Sequence, residues 1–147
     1  MKVLFVCMGN TCRSPMLRCM FEDYLLRRGI LDISVDCAGL LNGGQAISAD
    51  TVKVLKACGV ACDENYLSKY CDKDLALEAD FIICVADECK EILKKQYPSI
   101  RDIVSLFELC GESVNDPYEQ GIDEYFKAYK TFEKALPKIL EYIYRTN

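Results

Sequence analysis

Cys7 and Arg13 stand six positions apart, with Met8-Gly9-Asn10-Thr11-Cys12 between them and Ser14-Pro15 after them. The apolar run Val3-Leu4-Phe5-Val6 comes directly before. A strand, a tight loop and a helix start in that order can hold a tetrahedral oxyanion, because loop N–H groups and the positive end of the helix converge on one point. Arg13 adds a planar two-pronged donor. Cys7 adds a thiol that a helix N-terminus and a nearby cation pull toward the thiolate, which makes it the candidate nucleophile. The donors that hold a thiolate suit the equatorial oxygens of a transferring phosphoryl group equally well. Gly9 is read as the residue that lets the backbone turn sharply. Asn10 is a type that tolerates the left-handed conformation and can tie the loop through its amide. The Ser14 hydroxyl is placed to donate to the Cys7 sulfur. Cys-x5-Arg alone arises by chance, and its strand, Gly-Asn and Ser-Pro setting is what distinguishes it.

A nucleophile of this kind needs an acid to protonate the departing group and later to activate water. The chain has no histidine, which removes Ser-His-Asp and Cys-His mechanisms and every metal site that uses imidazole. A carboxylic acid is left. Asn115-Asp116-Pro117-Tyr118 presents one in the long loop after the last expected strand, and open α/β sheets gather functional loops at that carboxyl edge. Pro117 stiffens the loop. Asp-Pro is also an ordinary turn pair, so Asp116 is singled out only in combination with the Cys7 loop.

Apolar β-type runs at residues 2–6, 33–37, 81–85 and 103–106 alternate with helical patterns. This predicts an α/β fold, a doubly wound parallel sheet of four strands flanked by helices. The first helix is expected over residues 14–28, capped by Ser14 with Pro15 at its first position and ended by Gly29. Others are expected over 49–57, capped by Ser48 or Asp50, over 87–95, and over 123–144. Pro137 should kink or split the last of these, since it lacks an N–H and clashes with the preceding turn. Gly43-Gly44 and residues 111–121 read as loops.

The 147 residues fit one domain, 1–147, with a core that needs no staple. A net charge of −5 without basic clusters argues against nucleic acid. No apolar run approaches a membrane span of roughly 18 residues, and MKVLFVC lacks a signal-peptide pattern, so a soluble, cytoplasmic protein without membrane contact is expected. The ten cysteines fall in helix and strand patterns and read as reduced thiols. Cys58, Cys62 and Cys71 have no second spaced pair, and no metal is expected on them.

The loop Cys7 to Pro15 with its strand, Asp36-Cys37-Ala38-Gly39, Phe81-Ile82-Ile83-Cys84, and Asp116-Pro117-Tyr118 before a final helix together resemble the low-molecular-weight protein tyrosine phosphatase family, in order and along the whole chain. The resemblance implies the four-stranded doubly wound fold and hydrolysis of phosphotyrosine, on proteins or as small aryl phosphates, through a cysteinyl-phosphate without metal or other cofactor. It implies Cys7 as nucleophile, Arg13 as phosphate clamp and Asp116 as general acid. It also places Met8, Gly9, Asn10, Thr11, Cys12 and Ser14 around the phosphate, with Tyr118 as one wall of the cleft and Leu40 and Leu41 near the other. Cys12 matches a second loop cysteine that, in many eukaryotic members, traps the oxidised nucleophile as a disulfide; redox control and a small buried residue stand side by side as readings. The chain departs from the family at Cys37, where serine is common, in lacking a histidine at residues 66–69, where Tyr66 can donate a hydrogen bond instead, and in having no aromatic between Leu40 and Gly44.

Two other functions fit the same pattern. Thioredoxin-coupled arsenate reductases share the scaffold and the loop, and Cys84 and Cys89 would supply their redox pair, although Asp116 and Tyr118 favour hydrolysis. A phosphotyrosine-binding module would keep the pocket without turnover.

Overall fold

The computed structural model of the protein describes residues 1–146. Among them run β1 (Lys2–Cys7), α1 (Arg13–Arg27), β2 (Ser34–Gly39), α2 (Ala49–Ala57), α3 (Lys73–Glu78), β3 (Phe81–Cys84), α4 (Asp87–Gln96), β4 (Ile103–Ser105), α5 (Leu106–Cys110) and α6 (Ile122–Thr146). The strands form one sheet in the order β2-β1-β3-β4, and every pairing is parallel. β1 is therefore central, and its side chains alternate between two cores as a period of two requires. Val3 and Phe5 face α1, α2 and α6, while Leu4 and Val6 face α3 and α4. Phe5 meets Phe21 of α1 edge-on at 5.7 Å between ring centres.

That strand order decides where chemistry can sit. From β1 the chain crosses to β2 on one side, and β3 lies on the other, so the carboxyl end of β1 is the switch point where a doubly wound sheet opens a crevice. Cys7 is the last residue of β1, paired with Gly39.

Several local details differ from the sequence expectation. Cys12, not Ser14, occupies the N-cap of α1, and no side chain caps it. Ser14 lies inside the first turn with Pro15 after it, because its hydroxyl is taken up by the loop described below. Ser48 does occupy the N-cap position of α2, but its hydroxyl donates to Tyr125 Oη at 3.0 Å instead of capping. α6 runs unbroken through Pro137. Pro137 and Glu133, whose carbonyl loses its partner, both lie on the exposed side, where water can replace the missing bond, while Phe132, Leu136 and Ile139 anchor the buried side. α3 and α5 were not foreseen. At six and five residues they are too short for periodicity to register, yet each is capped, by Asp72 on the Leu75 N–H and by Ser105 on the Glu108 N–H.

Candidate active site

Residues 8 to 12 fold over the end of β1 and return Arg13 and Ser14 to Cys7. Ser14 Oγ lies 2.8 Å from Cys7 Sγ, and the Asn10 N–H donates to the same sulfur at 3.2 Å. Asn10 takes the left-handed conformation, φ 56°, as its residue type allows. Gly9 does not make the turn, and a Cβ there would meet only Thr11 Oγ1, at 3.8 Å. The glycine that the loop needs is Gly39 on β2. A Cβ there would lie 2.7 Å from Met8 O and 2.8 Å from Asn10 Cβ, inside any real contact distance. Gly39→Ala is expected to push the loop off the strand, lowering phosphate affinity in a calorimetric titration by at least about tenfold; unchanged affinity would show that the loop tolerates the displacement.

The hydrogen-bond directions around Asn10 are fixed by its neighbours. Its Oδ1 accepts from the Lys69 N–H at 2.9 Å and from Tyr66 Oη at 2.5 Å, which leaves Nδ2 to donate to Ser14 Oγ at 2.8 Å. Ser14 Oγ thus has its proton free for Cys7 Sγ, the distance to Ala38 O being a long 3.5 Å. The Tyr66 hydroxyl in turn accepts from the Cys37 thiol at 3.3 Å. A directed chain, Cys37 to Tyr66 to Asn10 to Ser14 to Cys7, runs into the nucleophile. Tyr66 stands where imidazole was missed, and Arg18 lies over its ring at 5.8 Å. Tyr66→Phe leaves Asn10 Oδ1 with one donor. We expect kcat to fall by about tenfold, the worth of one such bond, with Tyr66→His restoring part of it; equal kcat in Tyr66→Phe would remove Tyr66 from the chain.

Cys7 is buried, and burial is the largest influence on its thiol, holding it above the ordinary range. The Ser14 hydroxyl, the Arg13 charge and backbone N–H groups of Ser14 and Asn10 pull the other way. The groups expected to lower the thiol are therefore present, and desolvation outweighs them. Removing one shifts the balance further up. In Ser14→Ala the rise of Cys7 alkylation rate with pH should move to higher pH; a shift to lower pH would mean that Ser14 does not stabilise the thiolate.

Arg13 is buried, and its Nη1 donates to the Val114 carbonyl at 3.0 Å, tying the guanidinium to the loop that carries Asp116. Asp116 closes an Asx turn by accepting from the Tyr118 N–H at 3.1 Å. Both side chains lie on the rim of a cleft of about 430 Å³ whose floor is residues 7 to 13. Cys12 also lines it, with its sulfur 3.3 Å from Tyr125 Oη.

Of the residues picked out in the sequence, Cys7, Met8, Gly9, Asn10, Thr11, Cys12, Arg13, Leu41, Asp116 and Tyr118 meet in this cleft. Leu40 and Ser14 do not line it. Leu40 follows the alternation of β2, so it packs with Ala38 against the α3/α4 core and leaves Leu41 to the cleft. Ser14 is fully buried beneath Cys7 and reaches the sulfur instead. Asn42, Gln45, Ala46, Ser48 and Ala49 complete the wall, and nothing in their types or spacing marked them. Cys62 and Cys71 are not brought together, since Cys71 is buried in the α3/α4 core and Cys62 packs against the opposite one. Among the described residues no group of three or more His, Cys, Asp or Glu side chains is arranged for a metal ion, and no helix is long and apolar enough to cross a membrane.

The family model for low molecular weight phosphotyrosine protein phosphatases matches residues 2–147. The chain belongs to that family. It is an enzyme, a hydrolase of the tyrosine and arginine phosphatase group. The chain is 31% identical to a protein-arginine-phosphatase of Bacillus subtilis, over 95% of this chain and 94% of that one. The crystal structure of a low molecular weight protein tyrosine phosphatase from T. tengcongensis superposes with a TM-score of 0.88 at 32% identity, covering 96% of this enzyme and 98% of that chain. An arginine phosphatase whose active-site cysteine is replaced by a phosphorylated serine superposes with a TM-score of 0.89 at 28% identity, over 97% and 95% of the two chains.

Proposed function

We propose that the chain is one phosphatase domain, a protein tyrosine phosphatase that hydrolyses phosphotyrosine, and small aryl phosphates, through a cysteinyl-phosphate. The observation that carries this is the meeting of Cys7, Arg13, Asp116 and Tyr118 around a single cleft at the sheet's switch point. Cys7 Sγ attacks phosphorus in line. Arg13 and the loop N–H groups hold the equatorial oxygens, and Ser14 and the Asn10 N–H stabilise the sulfur as it later leaves. A protonated thiol beside a phosphate dianion has the charge of a thiolate beside a monoanion, so the substrate itself can take up the proton that burial keeps on Cys7. Asp116 protonates the departing oxygen and then, as carboxylate, takes a proton from the water that cleaves the cysteinyl-phosphate. Leu41 and Tyr118 give the leaving aryl group apolar walls. Cys12, in the same cleft, is the candidate to trap a sulfenic acid on Cys7 as a disulfide. With the exposure of Cys12→Ser to peroxide, activity should no longer recover fully on adding a thiol reductant; unchanged recovery would end that role.

A second substrate has support of its own. The segment after β2 brings the amide residues Asn42 and Gln45 to the cleft and no aromatic, and Asp116 offers a carboxylate to a guanidinium. The Bacillus subtilis relative bears the name protein-arginine-phosphatase. Attack on phosphorus and protonation of the leaving group apply to a P–N bond as to a P–O bond. One pair of peptides decides, identical but for phosphotyrosine or phosphoarginine at the centre, with kcat/KM measured for each. A higher value for phosphotyrosine supports the first reading; a higher value for phosphoarginine replaces it. A relay through Cys84 and Cys89 has less support, since both thiols are fully buried in the α3/α4 core.

A further inference from the structure

Behind the catalytic loop, on the far side of Tyr66, lies a second cleft of about 260 Å³ that Cys19, Cys37 and Cys62 all line. Cys19 belongs to α1, whose first turn carries Arg13 and Ser14. Cys62 belongs to the segment that delivers Tyr66 to Asn10. That segment is a compact turn, in which the Asp63 carbonyl accepts from the Tyr66 N–H at 3.2 Å and Asp63 Oδ1 from the Asn65 N–H at 2.9 Å. Cys19 and Cys62 line this one cleft together, both half-buried and both unbridged. Cys37 is fully buried, and its S–H is already committed to Tyr66 Oη.

We propose that Cys19 and Cys62 are a redox dithiol, oxidised by a hydroperoxide to a disulfide that fastens the Tyr66 turn to α1. Nothing in the phosphatase chemistry uses either sulfur, so the site stands whichever phosphorylated side chain the enzyme takes. Burial, with Asp63 and Glu64 beside it, keeps the Cys62 thiol above its ordinary range, while the neighbouring Cys19 thiol and Lys56 pull the other way. Burial and the proximity of Cys62 push Cys19 up as well, so it remains the protonated partner. Cys62 is thus the sulfur that attacks. Its thiolate takes the terminal oxygen of the peroxide, giving a sulfenic acid and releasing water or an alcohol. Cys19 then displaces the sulfenic oxygen as water, and its own proton leaves with that water. Two thiols lose two electrons in all, and one hydroperoxide gains them. Reduction by a thiol donor reverses the bond.

The trypsin cleavage sites place Cys19, Cys37 and Cys62 in three different peptides. Cys19 falls in residues 19–27, Cys37 in 29–53, Cys62 in 57–69 together with Cys58, and both Cys7 and Cys12 in 3–13. Wild-type protein treated with a slight excess of hydrogen peroxide, blocked with iodoacetamide and digested without reductant should yield one peptide joining 19–27 to 57–69, two hydrogens lighter than the sum. The same species should form in Cys58→Ser and be absent in Cys19→Ser. The oxidised Cys58→Ser protein should unfold several degrees higher than its reduced form, a gain that reductant removes. Linkage of 57–69 to 29–53, an internal Cys58–Cys62 bond, or sulfinic acid on Cys62 with Cys19 still alkylated would each overturn the proposal.

Discussion

Cys7→Ser is expected to abolish turnover of para-nitrophenyl phosphate, by at least about four orders of magnitude in kcat, or about 5.5 kcal/mol of transition-state stabilisation. A hydroxyl keeps the site's shape. Serine is smaller than cysteine, so it enters the space between Ser14 Oγ and the Asn10 N–H without displacing either. The cradle of loop N–H groups and Arg13 is untouched, and affinity for inorganic phosphate should stay within about threefold of wild type. What is lost is nucleophilicity. A buried serine hydroxyl ionises far less readily than a thiol, and an alkoxide is also a much poorer leaving group when water attacks the phosphoenzyme. The second handicap predicts that any transfer stops at phosphoserine, seen by mass spectrometry as one added phosphoryl group without product release. The arginine phosphatase bearing a phosphorylated serine in place of its cysteine is such a species. Turnover by Cys7→Ser within tenfold of wild type would remove Cys7 from the role of nucleophile.

The parts of this site that could be read from the sequence are those dictated by short-range order. A strand ending at Cys7 and a helix opening within the next several residues fix where the loop must lie, and the parallel sheet fixes that it lies at the carboxyl edge. The place of Asp116 in the cleft was legible because, without histidine, the long loop after the last strand was the segment at that edge picked for its carboxylate. Tyr66 was legible as a substitute donor, and it lies 2.5 Å from Asn10. The residues that escaped depend on contacts between distant segments. Asn42, Gln45 and Ser48 enter the cleft because the backbone from Gly39 to Ser48 is stitched to Met8, Thr11, Tyr66 and Ser68, through bonds such as Leu40 N–H to Met8 O and Ser48 N–H to Thr11 O. No periodicity encodes that path. Leu40 was misplaced by one position for a related reason. Its direction depends on where β2 ends, and the strand runs on to Gly39, two residues beyond the expected boundary. Ser14 was taken for a helix cap and for a ligand of phosphate. Three-dimensional crowding makes it neither, because Asn10 and Cys7 converge on its hydroxyl before solvent or a helix N–H can.

Asp116→Ala tests the remaining half of the mechanism, and its signature lies in how the loss varies with the leaving group. Asp116 sits at the rim, on a turn held by its own bond to the Tyr118 N–H and by the Gln120 N–H on Pro117 O. Alanine removes the first of these bonds, so a general loosening of Tyr118 is the alternative explanation to exclude. A proton donor matters in proportion to the basicity of the oxygen it protonates. Dinitrophenolate departs without help, and phosphoenzyme formation from its ester should fall by less than about fivefold. Phenolate and tyrosine need the proton, and their esters should lose about two to three orders of magnitude, the usual worth of a placed general acid. A plot of log kcat/KM against leaving-group pKa should therefore be shallow in wild type and steep in Asp116→Ala. Loosening of Tyr118 acts on binding and would lower the whole line without tilting it. Asp116→Asn separates the two further, since its amide oxygen can still accept from the Tyr118 N–H while offering no acidic proton. Parallel lines for wild type and Asp116→Asn would show that the acid is another group, and the same steep slope in both variants would place it on Asp116.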